Sequence, residues 1–274
     1  MATSSAALPL PELVDRVRAF DNGLVISLGR GGGQTGGDVW KGAFCLQRFL
    51  AANPQYVAGK GVCELGSGTG FLAMSAHMQG SSHCVATDKF MKVLVRNVQD
   101  NEALLQKANS GGHFDCVACD WEEVQRTGAL PPALAPRRFD LIIASDTIYY
   151  HAKYVHAFVA VVVRLLTSSP HAKLLLCQSY RGAPDLEQMF FDGITREGLQ
   201  HVLVSQDANS PDRHAMKAMN VAIWQLWCEP GRCGVRSHLA ALWELGASHR
   251  IAPLLELSLM DGRTQWIFST VAHL

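Results

Sequence analysis

No stretch of the 274-residue chain reaches the roughly 18 uninterrupted apolar residues of a membrane-spanning helix. A surplus of charge is missing too. The 24 Lys plus Arg balance 24 Asp plus Glu, and no Lys/Arg cluster stands out, so neither nucleic acid nor an acidic membrane surface is expected as a partner. The opening residues, MATSSAALPLPELVDRVRAF, contain neither a basic n-region nor an apolar h-region. A soluble intracellular protein is expected, cytoplasmic with the nucleus also open. Cysteine in metal-binding spacing is scarce: of eight cysteines, Cys116 and Cys119 form a CxxC inside a strand-like run with no second pair at matching distance. Cys228 and Cys233 do not complete a site, and no metal is expected. Cys63, Cys84 and Cys177 lie in apolar runs where a thiol acts as a small hydrophobe, and reduced thiols are expected.

What is present reads as one globular domain with additions, since 48% of residues are apolar and 18% charged. Between 61 and 228, short apolar runs alternate with longer stretches of helical period. The runs are GVCEL (61–65), CVATD (84–88), FDCVACD (114–120), DLIIASD (140–146), KLLLCQS (173–179), HVLVSQ (201–206) and NVAIWQLWC (220–228). Segments 89–108 and 151–169 repeat apolar residues at three- and four-residue spacing. Such alternation predicts an α/β fold, a doubly wound and mainly parallel sheet with helices on both faces. Residues 1–60 form an N-terminal segment with a Gly-rich loop running into an amphipathic helix, 61–228 the central domain, and 229–274 a C-terminal extension. In that extension two strand-like runs flank Asp261-Gly262, a hairpin signal; it is expected to pack on the core, with a dimer contact as the other use.

The first run ends in VCELGSGTGF (62–71). Glycines this dense let backbone approach a ligand, and in an open parallel sheet ligands sit beyond the carboxyl ends of the strands. A phosphate loop is excluded because no Lys-Ser/Thr follows Gly70. A dinucleotide fingerprint counted from Gly66 and Gly68 puts its third place on Phe71, which disfavours a nicotinamide-dependent oxidoreductase. Glu64 would face a pyrophosphate with like charge but suits a ligand bearing an ammonium. Asp88, ending the second run, is placed to accept hydrogen bonds from a ribose diol. A nucleoside with a zwitterionic tail and no phosphate meets both conditions, and S-adenosyl-L-methionine is such a ligand. Asp120 is a candidate acceptor for the adenine amino group, and Trp121 offers a flat apolar face.

With those positions placed, the chain resembles the seven-strand class I methyltransferases, and among them the family-16 protein lysine methyltransferases. The resemblance spans about 35 to 228 and rests on TGGDVWKGAFCLQRFL (35–50), ELGSGTG (64–70), RNVQDN (96–101), CDW (119–121) and ASDTIYY (144–150). It implies strand order 3-2-1-4-5-7-6 with the last strand, 220–228, antiparallel. It implies cofactor contacts from Trp40, Glu64, Gly66, Asp88, Trp121 and the backbone around Ser145, beside Gly68 and Gly70 of the glycine turn. Asp146 and Tyr149 would frame the acceptor amine. The implied activity is methyl transfer to a protein side-chain nitrogen, lysine first, with arginine, histidine or a small molecule as other acceptors and a non-catalytic cofactor-binding module as the reading of a different class. A protein substrate presenting a lysine and a monomeric state are expected. The extension from 229 and the added glycines Gly29, Gly31, Gly32 and Gly33 have no counterpart in the family pattern.

Overall fold

The computed structural model describes residues 16–29, 35–149, 151–180, 182–204, 221–228, 255–260 and 263–268. A small antiparallel hairpin comes first, β1 (Arg16–Ala19) with β2 (Val25–Leu28), followed by α1 (Lys41–Ala52). Then the expected alternation begins: β3 (Gly61–Leu65), α2 (Phe71–Met78), β4 (His83–Asp88), α3 (Met91–Asp100), α4 (Glu102–Ala108), β5 (His113–Ala118), α5 (Trp121–Thr127), β6 (Leu141–Ser145), α6 (Ala152–Ser168), β7 (Lys173–Ser179), α7 (Pro184–Arg196), β8 (Leu199–Leu203) and β9 (Val221–Cys228). In a separate unit, residues 234–274, β10 (Leu255–Met260) pairs antiparallel with β11 (Arg263–Phe268). Asp261 and Gly262, Gly31 to Gly33, and Cys233 lie outside the described residues.

The seven central strands run in the order β5-β4-β3-β6-β7-β9-β8, with β9 antiparallel to both neighbours. Counted from β3, that is the implied 3-2-1-4-5-7-6. Strand periodicity explains why both faces need cover. Cys63 and Leu65, Ile142 and Ala144, Leu174 and Leu176 enter one core with residues of α5, α6 and α7. Their neighbours Val62, Leu141 and Ile143, Leu175 and Cys177 enter the other, with α1, α2 and Leu94 of α3. Each fully buried aliphatic or aromatic side chain contributes about 1.5–3 kcal/mol. Phe158 ties the first core together, 4.9 Å from Trp121 and 5.4 Å from Phe190 between ring centroids.

Apart from shifts of a single residue, three boundaries differ from the sequence reading. The single helical stretch 89–108 is two helices that meet at Asn101, which leaves helical backbone geometry (φ −108°, ψ 5°) and bonds the backbone of Val25 through its side chain. The third run stops at Ala118 instead of 120, since Asp120 is used as the N-cap of α5 and accepts from Glu122 N at 3.0 Å. The sixth starts at Leu199, directly after Gly198 (φ +85°) turns the chain out of α7. Six described cysteines, Cys45, Cys63, Cys84, Cys116, Cys119 and Cys177, are free thiols. Cys228, at the end of β9, is disulfide-bonded, contrary to the expectation of reduced thiols throughout. Among the described residues no helix is long and apolar enough to cross a membrane.

Candidate functional site

Strand order reverses between β3 and β6, and the crevice beyond their carboxyl ends is where this architecture binds ligands. A cavity of about 340 Å³ lies there. Its floor is the turn from β3 into α2, in which Gly66, Gly68 and Gly70 all take positive φ (71°, 52° and 81°). That conformation is cheap for glycine alone. Space is also limiting: a Cβ on Gly66 would lie 3.1 Å from the Trp121 ring, and one on Gly68 only 2.7 Å from the carbonyl oxygen of Gly36. Gly68→Ala is therefore expected to push the two backbones apart, lowering stability by about 1–3 kcal/mol and weakening ligand binding. Urea unfolding and a ligand titration on the purified variant measure both effects.

Glu64 sits beneath this turn, 2% exposed, and its Oε2 accepts from the backbone N–H of Ala73 in α2 at 2.9 Å. Burial pushes its carboxyl up to about 8; hydrogen bonds from Ser67 and Ala73 oppose the shift, and the charge of Asp88 adds to it. Asp88, at the end of β4, accepts from Gly68 N and Phe90 N, both at 2.8 Å. Burial raises its pKa against those two bonds. Asp120 is held differently. Oδ1 caps α5 and Oδ2 pairs with Lys89 Nζ at 2.8 Å; burial opposes its charge, but the Lys89 contact prevails and its pKa lies below the usual value.

The far wall comes from β6. Asp146, 4% exposed and at φ +53°, accepts from the backbone N–H of Gly42 at 2.9 Å and of Ser179 at 2.8 Å, one bond to each carboxylate oxygen. Its own N–H donates to Cys177 O at 2.9 Å. One carboxylate thus joins the first turn of α1 to the end of β7. The approach needs a glycine, since a Cβ on Gly42 would lie 2.8 Å from Asp146 Oδ2.

Of the residues singled out in the sequence, Trp40, Glu64, Gly66, Gly68, Asp88, Asp120, Trp121, Ser145, Asp146 and Tyr149 all line the cavity. Gly70 does not: it ends the turn on the α3 side, where a Cβ would lie 2.6 Å from Leu94 Cδ1. His151, two residues beyond Tyr149, is the exposed N-cap residue of α6 and is not part of the lining. Sequence reasoning missed Gly36, Asp38 and Val39, although they belong to the TGGDVW segment, and it missed Lys89, Thr147 and Tyr154. Tyr154 carries no local signal; it arrives by being one turn into α6.

Among the described residues the lining sets Asp38, Glu64, Asp88, Asp120, Glu122 and Asp146 against one cationic residue, Lys89. Two of its members, Trp121 and Thr147, carry buried polar atoms, Nε1 and Oγ1, without a hydrogen-bond partner. Clustered carboxyl groups, unsatisfied buried polar atoms and a turn with no room for side chains suit a cationic nucleoside.

Similarity to known proteins agrees. The protein-lysine N-methyltransferase EFM3 of Chaetomium thermophilum is 28% identical over 164 residues, 57% of this chain and 46% of that protein. The protein N-terminal and lysine N-methyltransferase EFM7 of Eremothecium gossypii is 26% identical over 181 residues, 63% of this chain and 66% of its own. The human electron transfer flavoprotein beta subunit lysine methyltransferase is 47% identical over 49 residues, 18% of this chain and 19% of that one. The chain thus spans about half the length of the Chaetomium relative it matches. The family model described as lysine methyltransferase matches residues 20–197, from the N-terminal hairpin to the end of α7 and including every residue that lines the cavity, and the chain belongs to that family.

Proposed function

We propose that the protein transfers a methyl group from S-adenosylmethionine to the side-chain amine of a lysine in a protein substrate. The observation that carries this reading is the acid-rich, aromatic-walled cavity over the glycine turn at the reversal of strand order. Glu64 would hold the donor's ammonium, Asp88 its ribose hydroxyls, and Trp121 and Asp120 its adenine. The donor supplies a methyl group already activated by a sulfonium, so the protein has mainly to align it with the acceptor.

The acceptor sets the harder requirement. A lysine ammonium, pKa about 10.4 in water, has no lone pair until it loses a proton. Desolvation beside a fixed positive charge lowers that pKa. Asp146 pulls it the other way, so its part is to orient the amine and to fix the wall around it, with the proton leaving through water. Its carboxylate accepts from the backbone N–H groups of Gly42 and Ser179, which fixes its orientation in the wall. Tyr149, Tyr154 and the 39% exposed Trp40 give the cavity aromatic faces, each worth about 0.5–2 kcal/mol to an ammonium or its methylated product. The even balance of charge supports a protein acceptor over nucleic acid.

The test is transfer of labelled methyl from the donor to proteins of a cell extract, followed by mass identification of the modified residue. Label on a lysine, dependent on the added chain, is expected. Label confined to arginine, histidine or small molecules, or no label at all, contradicts the reading.

A further inference from the structure

Two asparagines of the RNVQDN segment take no part in lining the cavity, yet they are among the most buried polar residues of the chain, Asn97 0% and Asn101 4% exposed. They stand four apart, on α3 and at its C-cap, a rise of about 6 Å. Alternate residues of a strand are about 6.6 Å apart on one side. The match lets the two side chains read the backbone of β2 as a neighbouring strand would. Asn101 Oδ1 accepts from Val25 N at 2.9 Å while its Nδ2 donates to Val25 O at 2.8 Å. Asn97 Oδ1 accepts from Ser27 N at 2.9 Å while its Nδ2 donates to Ser27 O at 3.1 Å. A two-stranded hairpin is marginal by itself; these four bonds, with Leu24 and Ile26 buried in the core, hold it to the domain.

The two asparagines then diverge. The remaining amide hydrogen of Asn101 goes to Asn97 O at 2.7 Å, within its own helix. That of Asn97 goes to Thr69 O at 2.9 Å, in the glycine turn. Beyond β2, Gly29 N donates to Gly37 O at 2.9 Å, and Gly36 lies against Gly68. Gly36, Asp38, Val39 and Trp40 form one wall of the cavity, and Gly68 and Thr69 belong to the floor. Asn97 is bonded to Thr69 of the floor and to Ser27 of β2, and β2 reaches the wall through the bond from Gly29 to Gly37.

We propose that Asn97 is a positioning residue for the methyl donor: one buried amide fixes the N-terminal wall of the cavity to the glycine turn, so that the donor meets a preassembled site. Asn101 anchors the same hairpin but does not reach the turn, which makes it the internal comparison. The inference rests on the donor reading of the cavity.

The experiment uses the full chain as parent, Asn97→Ala and Asn101→Ala. Calorimetric titration with S-adenosylhomocysteine gives the Kd, transfer to extract proteins gives donor KM and the rate at saturating donor, and thermal unfolding gives Tm. Losing three buried hydrogen bonds in Asn97→Ala is expected to raise Kd and donor KM about tenfold or more, with the saturated rate kept within about threefold. Asn101→Ala should lower Tm as much with a distinctly smaller change in Kd. If Asn97→Ala does not fold, Asn97→Ser, which keeps a hydroxyl and opens a smaller void, carries the same comparison. Equal Kd for parent and Asn97 variant, or an equal rise in both variants, overturns the inference alone. No heat from the parent overturns the donor reading and this inference with it.

Discussion

Replacing Asp146 with asparagine is expected to lower stability by about 2–4 kcal/mol and to reduce methyl transfer by about two orders of magnitude. The carboxylate accepts from Gly42 N with one oxygen and from Ser179 N with the other, 4% exposed. An amide has a single oxygen, so its NH₂ group would face one of the two N–H donors and leave that donor buried and unpaired. Asparagine is the informative substitution because it tolerates the left-handed backbone of this position, φ +53°, and so changes the carboxylate without adding strain. From the sequence, an Asp146→Ala variant is expected to lose transfer and keep the donor. With the carboxylate joining α1 to β7, donor affinity should fall as well, because Trp40 and Ala43, at the start of α1, line the cavity. Urea unfolding, donor calorimetry and transfer on one preparation measure all three. A variant that keeps the parent's stability and donor affinity but has no transfer would mean that Asp146 acts on the acceptor amine alone.

A second large effect is expected from Glu64 through pH. Burial holds its carboxyl near 8 in the ligand-free protein, so at pH 6 it is neutral. A donor ammonium beside it favours the ionised form, so binding expels a proton. Between the lowered pKa of the complex and about 8, donor affinity should rise by about tenfold per pH unit. Above about 8 the gain reverses as the donor's own α-amino group loses its charge. Stability of the ligand-free chain runs the opposite way. An acid whose folded pKa is raised contributes stability that is present below its unfolded value of 4.5 and is lost as pH rises toward about 8. Glu64→Gln keeps an oxygen for Ala73 N and removes the titration. The variant should be more stable than the parent at pH 8, bind donor more weakly there, and show a flat affinity between pH 6 and 8. Calorimetry in buffers of different ionisation enthalpy counts the proton; release of none from the parent would contradict the assignment.

Much of this site was legible because its parts are local. A glycine turn after an apolar run, an acid at the end of the next, and Asp120-Trp121 after the third each sit where a strand ends. The sheet of a doubly wound fold brings strand ends together without further information. Strand order followed from the family resemblance and matches the observed sheet. What was not legible depends on contacts distant in sequence. Nothing in RNVQDN announces that its asparagines bond a strand some seventy residues earlier. Asp146 entered as an acceptor-site residue through the family resemblance of ASDTIYY; its bond to Gly42 crosses from the end of β6 to α1 and exists only in the assembled fold. Tyr154 and Lys89 reach the cavity through helix phase and an ion pair, not through a motif.

The most direct test of the central claim is calorimetric titration of the intact chain with S-adenosylmethionine, S-adenosylhomocysteine and NAD at pH 8. One saturable site for each of the first two, and no heat with NAD, is the predicted result. A chain that takes up NAD, or that binds neither sulphur compound, would contradict the account of the cavity.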